Sequence, residues 1–353
     1  LIDTNSRESR FIGLESGVPD GDNVLHVDRD GRFLLLEVRE SVYKYPSVYK
    51  IVLATNKAEQ VVKDELRIWD WFADSSGVVR MGMSYRRNST LVYYRKFAEE
   101  KFRRIDKVKD KDVVDDDQES LLDGFLIIPG SDDGYVLSNE KTGRFGLYKF
   151  NLFTREIGEK VFDHDSHDIT SFSLDDEGIA LQAAFFTDSR DRIHWFDEYF
   201  ARQQELLDRT LKGQQVWISS ASRDKGKMII FSTSPQDPGS YYLYEPAARK
   251  MDRFAGVNDR IDPALMAESR YEFYTARDGT RIPAYVTIPK GRTPKNLPLV
   301  VMPHGGPYGV RDTMDFNMEV QFLVNRGYVV LQPNFRGSAG YGESYYKQGE
   351  GQI

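Results

Sequence analysis

The chain has 353 residues, 40% of them apolar and 29% charged, with 48 Lys and Arg against 55 Asp and Glu. A net charge of −7 argues against a general nucleic-acid binder, and the apolar share argues against global disorder. With no cysteine there is no disulfide framework, thiolate zinc site or cysteine nucleophile, and no run of about 18 apolar residues marks a membrane span.

The first three quarters of the chain carry a repeat. A Gly in a polar turn precedes a β-rich apolar run at Gly31, Gly77, Gly134, Gly178 and Gly226, with spacings of 46, 57, 44 and 48. An aromatic strand follows each glycine, around Tyr49, Tyr93, Tyr148, His194 and Tyr242, with spacings of 44, 55, 46 and 48. Two independent markers thus agree on the period of a four-stranded propeller blade, about 40–50 residues. An irregular β-sandwich is the alternative, but sandwiches carry turn signals without a long period. Residues before about 25 read as a partial strand set, and the charge-dense stretch 97–120 reads as a solvated insertion.

From about Asp262 the pattern changes, and prolines cluster at 263, 283, 289, 294, 298, 303 and 307. Residues 271–276 and 281–288 read as a hairpin around Asp278-Gly279. Leu297 to Met302 reads as a buried parallel strand. Met314 to Asn325 has helical spacing with Gly327 as its stop, and Tyr328 to Leu331 is a second buried strand. Strand, helix, strand with short links is a βαβ unit, so this part is α/β. Its charge differs as well: residues 271–353 hold 9 basic and 7 acidic residues, net +2, which leaves −9 for residues 1–270.

The first of these strands runs into Pro303-His304-Gly305-Gly306-Pro307. Acyl transfer places negative charge on a former carbonyl oxygen, and backbone N–H groups aimed at it lower the barrier. Glycines let the backbone approach a substrate closely. A plain strand-to-helix turn would also accept a Gly pair. The next strand ends in Gln332-Pro333-Asn334-Phe335-Arg336-Gly337-Ser338-Ala339-Gly340-Tyr341-Gly342.

With these two segments in place, and Arg326-Gly327-Tyr328 between them, residues 270–353 resemble the prolyl oligopeptidase family of serine peptidases, closest to its acylaminoacyl-peptidase branch. The resemblance implies an N-terminal all-β propeller of at least five visible blades, about seven in the whole protein, over residues 1–265. The start of an α/β-hydrolase domain follows over 266–353. It also implies that the Gly306 N–H is one oxyanion donor and the residue after the nucleophile the other. His304, Gly305, Asn334 and Arg336 then shape the site. His304 is not the triad base, because that His comes last in chain order.

The nucleophile is expected in Gly-x-Ser-x-Gly at a strand-to-helix elbow, and these residues contain no such motif. Gly82-Met83-Ser84-Tyr85-Arg86 comes near but ends in Arg, and Ser338 has Gly at −1 rather than −2. The resemblance places nucleophile, Asp and His beyond Ile353. With a Leu start and an end that does not look like a natural stop, the chain is expected to be a fragment truncated before its nucleophile, inactive alone.

Other groups invite weaker readings. Asp163-His164-Asp165-Ser166-His167-Asp168 could bind a metal but reads as a solvated inter-blade loop, and no metal or other cofactor is expected. Asp115-Asp116-Asp117 and the basic stretch 101–111 read as solvated loop, and Trp69, Trp71, Trp195 and Trp217 as blade core or near it. Some dipeptidyl members of the family hold a substrate's α-amino group with propeller carboxylates, and Glu99-Glu100 is the pair available for that role. The expected substrates are short peptides, with no nucleic-acid partner. The rivals are an esterase or lipase and a propeller serving as a non-enzymatic interaction module. Cleavage specificity, oligomeric state and compartment (cytoplasmic, or periplasmic and secreted) stay open.

Overall fold

A computed structural model describes residues 1–3, 6–14, 23–87, 89–109 and 125–352. Five antiparallel sheets follow one another along the chain. The first holds β1 (Asn23–Val27), β2 (Phe33–Val38), β3 (Ser47–Val52) and β4 (Lys57–Val62) in sequence order. The second holds β5 (Asp70–Ala73), β6 (Val79–Arg86), β7 (Ser89–Tyr94) and β8 (Arg103–Lys109), and the third β9 (Phe125–Ile127), β10 (Asp133–Ser138), β11 (Gly146–Asn151) and β12 (Glu156–Phe162). The fourth has three strands, β13 (Ile169–Leu174), β14 (Leu181–Thr187) and β15 (Asp191–Trp195), and is followed by helix α1 (Glu198–Thr210). The fifth is β16 (Gln215–Ala221), β17 (Met228–Ser234), β18 (Asp237–Glu245) and β19 (Lys250–Gly256). Meanders of this kind, repeated at this period, are propeller blades. No described helix is long and apolar enough to cross a membrane.

The turn from first to second strand repeats one local device. Gly31, Gly77 and Gly178 sit at φ of 67°, 79° and 68°, and their N–H groups donate to the carbonyls of Asp28, Asp74 and Asp175. The side chain of each Asp accepts further turn amides, such as Ser76 and Val78 on Asp74. Glycine takes this left-handed conformation without the Cβ penalty. The sequence markers hold at these three turns and shift at two others. In the third sheet the left-handed residue is Gly130, while Gly134 lies inside β10. There a Cβ would stand 2.1 Å from the Leu126 carbonyl oxygen. In the fifth, Lys225 takes the positive φ instead of Gly226. All five aromatic markers fall in third strands of their sheets: β3, β7, β11, β15 and β18.

Two other expectations change. The stretch 97–120 is not all loop: β8 is the fourth strand of its sheet, paired with β7 over Ser89–Tyr94. Its exposed Arg103, Arg104 and Lys107 make it read as solvated loop in the sequence. Asp115-Asp116-Asp117, with all of 110–124, and residues 15–22 lie outside the described residues. The helix α1 was not anticipated. Asp197 caps it by accepting from Tyr199 and Phe200 N–H, and Phe200 and Leu207 bury against Val216, Met228, Ile230 and Tyr244.

The Cα packing divides the chain into two compact units. One comprises residues 1–136, 148–159 and 174–181, and the other 137–147, 160–173 and 182–353. Within the first, Leu35, Val48, Val62, Ile68, Trp71 and Val79 form a buried cluster. Trp71 is capped by Nε1–H donating to the Pro46 carbonyl at 2.9 Å. Gly82 is required there by space. A Cβ would lie 2.7 Å from both Ile68 Cδ1 and Trp71 Cζ3. Gly82→Ala is expected to cost about 1–3 kcal/mol by overpacking. Urea unfolding measures it, and a loss below about 0.5 kcal/mol would show that this cluster yields.

The last sheet joins β20 (Ser269–Thr275) and β21 (Arg281–Thr287), a hairpin, to β22 (Leu299–Val301) and β23 (Val329–Pro333), in the order β20-β21-β23-β22. β22 and β23 are parallel and are linked through helix α2 (Met318–Asn325), as a βαβ unit requires. The helix begins at Met318 rather than Met314, because Asn317 caps it with its side-chain oxygen on Glu319 and Val320 N–H. Val320 and Val324 bury against Ala267 and Val330. β22 is parallel as expected but not buried: Leu299 is 56% and Val301 54% exposed, since β22 is the sheet's edge among the described residues.

Candidate active site

The chain leaves β22 through Met302, whose N–H is held by the Leu331 carbonyl, and enters the turn His304-Gly305-Gly306. Gly306 sits at φ 122°, and a Cβ there would meet both N and O of Tyr308 at 3.1 Å. A Cβ on Gly305 would meet nothing within 4 Å, so this side of the turn faces open space. Both glycines are exposed. Among the described residues, no group accepts a hydrogen bond from the Gly305 or Gly306 N–H. A bare backbone N–H beside open space is what an incoming oxyanion needs.

His304 is held on three sides. Nδ1 lies 2.7 Å from the Gly305 carbonyl, Nε2 lies 2.7 Å from Ser338 Oγ, and the ring stacks on Phe335 at 4.4 Å. A carbonyl only accepts, so the Nδ1 proton is assigned to that bond. In the neutral ring Nε2 then accepts from Ser338. This Ser–His pair is not a nucleophile and its base, because Ser338 is 1% exposed and no substrate carbonyl could reach its Oγ. Ser338 was set aside in the sequence for its spacing. Its part in orienting His304 could be seen only once β23 ran beside β22.

Asn334 is fully buried at the end of β23. Its Oδ1 accepts from Asp312 N–H at 2.7 Å, and its Nδ2 donates to the Asp312 carbonyl at 3.1 Å and to Tyr341 Oη at 2.8 Å. It therefore clamps the segment that follows the glycine turn. The Asp312 carboxyl accepts from Gln332 on one oxygen, and its other oxygen is buried without a partner. Burial pushes its pKa up.

Arg336 turns away from His304. It pairs with Asp278 in the β20–β21 turn, where the Thr280 N–H and then Arg336 bring the Asp278 carboxyl down to about 2.

The 163–168 stretch is a loop between β12 and β13 with Asp165 and Ser166 exposed, as expected, but its last residue is drawn inside. Asp168 is 8% exposed and accepts from Gly342 N–H and Phe145 N–H, both at 2.9 Å. Burial raises its pKa, and it lowers that of His167 to about 4, with Arg311 and His164 adding to the latter shift. His164 and His167 rings lie 5.4 Å apart with Ser166 Oγ between their Nδ1 atoms. Among the described residues no group of three His, Asp or Glu side chains is arranged to hold a metal ion. Ser84 lies in β6, fully buried in an extended strand, which no nucleophile elbow could be. Glu100 caps the turn after β7 by accepting from Lys96 N–H. Trp71 is core, and Trp195 packs beside the fifth sheet's cluster, stacked on Phe200. Trp69 lies edge-on to Tyr45 and Trp217 beside Phe185.

Residues 314–353 match the model of the prolyl oligopeptidase family. Dipeptidyl aminopeptidase BIII of Pseudoxanthomonas mexicana is 22% identical over 329 residues, 90% of this chain and 46% of that protein. A dipeptidyl peptidase family member 6 of Caenorhabditis elegans is 28% identical over 177 residues, 44% of this chain and 24% of that one. Among solved structures, a prolyl endopeptidase superposes with a TM-score of 0.64 at 17% identity, covering 99% of this chain and 51% of its own. The acylaminoacyl peptidase of Pyrococcus horikoshii does so with 0.59 at 14%, covering 98% and 55%. This chain thus spans half or less of the curated relatives it matches and about half of these solved chains. The solved structures share its fold, propeller blades leading into an α/β-hydrolase sheet. Together with the family match over residues 314–353 and the relative aligned over 90% of this chain, they mark the chain as similar to the prolyl oligopeptidase family.

Proposed function

We propose that these residues are the propeller (1–265) and the first part of the catalytic domain (266–353) of a serine peptidase that hydrolyses short peptides. The observation that carries this reading is the His304-Gly305-Gly306 turn at the end of a parallel strand. Its glycines are exposed, their N–H groups are unengaged among the described residues, and its histidine is braced from behind by Ser338. The serine oxygen of the nucleophile attacks the scissile carbonyl carbon, and the carbonyl oxygen gathers negative charge. The Gly306 N–H donates to that oxygen, and the residue after the nucleophile supplies a second donor. A His accepts the serine's proton and passes it to the leaving amine, and an Asp orients that His. His304 does not fill this role, because its serine partner, Ser338, is buried and the triad His comes last in chain order. Release of dipeptides is the substrate class we favour, because the curated relatives are named for it.

The test is fluorophosphonate labelling, with turnover of dipeptidyl, acylaminoacyl and ester fluorogenic substrates, on the protein isolated from its source. Dipeptidyl turnover abolished by the fluorophosphonate is expected. A preference for long-chain esters would favour a lipase, and neither label nor turnover would favour an interaction module. The 353-residue polypeptide expressed by itself contains no Gly-x-Ser-x-Gly. We expect it to be slower by about 10⁶-fold, the scale of losing a nucleophile. Fluorophosphonate-sensitive turnover by that polypeptide would overturn the assignment of Ser84 and Ser338 as non-catalytic.

A further inference from the structure

Three consecutive carbonyls of the turn between β14 and β15 are taken by side chains of the last sheet and its loops. Arg311 Nη1 donates to the Thr187 carbonyl and Nη2 to that of Asp188, both at 3.1 Å, and Tyr285 Oη donates to that of Ser189 at 3.2 Å. The same Arg311 Nη2 donates to Tyr341 Oη at 2.8 Å, and the guanidinium lies 4.4 Å from the Tyr341 ring centre. Tyr341 Oη is also the acceptor for Asn334 Nδ2, so one hydroxyl joins Arg311 to the residue that clamps Asp312. Val310 is fixed as well, its carbonyl accepting from Ala339 N–H at 3.0 Å. Gly340 makes room for this arrangement: a Cβ there would lie 2.7 Å from Arg311 Nη1. A planar fork is the side chain suited to bridging two adjacent carbonyls, and a lysine ammonium cannot span them with the same fixed geometry.

We propose that Arg311 is a positioning residue for the oxyanion turn. Residues 304–309 are exposed over much of their length and run between two anchors, Met302 on β23 at one end and the 310–312 segment at the other. The first anchor is a strand hydrogen bond. The second depends on Arg311, which ties it to the 187–189 turn of the fourth blade. The direction of the Gly306 N–H is thereby set from the propeller sheet as well as from the hydrolase sheet. Mobile donors must be ordered as the transition state forms, whereas fixed ones cost nothing at that moment. This inference rests on the peptidase reading for its catalytic consequence, but not for its structural content.

The two parts are separable by experiment. In the 353-residue chain, Arg311→Met is expected to lower the backbone order parameter of the Gly306 amide from the rigid range near 0.85 to below about 0.6, with β17 amides unchanged. Exchange of the Asp312 and Ala339 amides should rise about tenfold, the scale of about one net hydrogen bond. Gly340→Ala, which crowds the guanidinium without removing its charge, should move all three readouts the same way. Arg311→Lys should fall between wild type and Arg311→Met. An unchanged Gly306 order parameter in both Arg311→Met and Gly340→Ala overturns the proposal.

In the protein isolated from its source, the same variants should lower kcat about tenfold while KM stays within about twofold. A raised KM at unchanged kcat would instead mark Arg311 as a substrate-binding group and overturn the positioning role. Loosened Gly306 in a protein with no peptidase activity would leave the positioning intact and remove only the functional reading.

Discussion

Arg80→Met is expected to destabilise the first compact unit by about 3–5 kcal/mol, the scale of breaking a buried ion pair from one side. Arg80 and Asp74 are 0% and 1% exposed, with Nη1 2.8 Å from the carboxylate. The guanidinium is fully engaged. Nε donates to the Arg95 carbonyl at 3.0 Å, and Nη2 donates to Tyr94 Oη at 2.7 Å and to the Ser131 carbonyl at 2.5 Å. Asp74 in turn accepts from Ser76 and Val78 N–H, so it holds the β5–β6 turn. Methionine fills the space of the stem but leaves the carboxylate buried without its cation and removes the guanidinium's donors from three further acceptors. Arg80→Met with Asp74→Leu should lose less than Arg80→Met alone, because the pair can be replaced by apolar groups more cheaply than it can be halved. Urea unfolding followed by tryptophan fluorescence reads both. A loss below about 1 kcal/mol for Arg80→Met would mean that water replaces the guanidinium, and that the pin is not a buried one.

Glu37→Gln is expected to stabilise the protein at pH 8 and to leave it nearly unchanged at pH 4.5. Glu37 lies on β2, 5% exposed, with its carboxyl accepting from the Trp71 N–H at 3.2 Å. Burial pushes its pKa up to about 7, the Trp71 N–H works against that shift, and Asp70 adds to it. The carboxyl is therefore protonated in the folded chain over a range where it is ionised in the unfolded one. Below pH about 4.5 both states hold the proton and the group makes no difference between them. As pH rises towards 7, the unfolded state releases the proton first, so stability falls. Above pH 7 the full cost is present, on the order of 3 kcal/mol for a shift of this size. Glutamine has the shape of the protonated acid and no charge to bury. The difference in unfolding free energy between Glu37→Gln and wild type should thus grow by about 2–3 kcal/mol from pH 4.5 to pH 8. A difference independent of pH would show that Glu37 ionises normally, through water or a shifted Asp70.

Both predictions concern groups that composition alone could not single out. Each is a charged residue at a strand position, and its sequence neighbours are ordinary strand residues. What makes Arg80 costly to remove is the approach of the Ile128–Asp132 segment, about 50 residues away in the chain. What makes Glu37 titrate late is burial, which only the packed sheets create, with Asp70 adding to it and the Trp71 N–H, from 34 residues away, opposing it.

The glycine turn shows the same division at the candidate site. The turn Pro303-His304-Gly305-Gly306-Pro307 could be read directly, because the left-handed φ of Gly306 favours a residue without a side chain, and that is a local demand. The roles of Ser338, Arg311, Asp312 and Tyr341 could not, because each depends on a partner from another element. The end of the 163–168 loop shows the same division. Its polar residues look solvated in sequence, yet Asp168 is drawn inside by two backbone N–H groups that only the folded chain offers.

By itself the sequence determined the period. Turn residues needing φ > 0 and aromatic third strands recur at blade spacing, since each blade must meet the same local turn and pairing constraints. It also determined the change to α/β near Asp262 and marked the His304 turn as a candidate site. Tertiary structure alone decided that Gly130 and Lys225 carry two of the turns, that β8 continues into the basic stretch, and that α1 follows the fourth sheet's third strand. It alone decided, too, that Arg311 reaches three carbonyl and hydroxyl acceptors outside its own segment. Backbone conformation answers to neighbours in the chain, and so it is written locally. Burial and hydrogen-bond partnership answer to neighbours in space, and these come into being only when the sheets have formed.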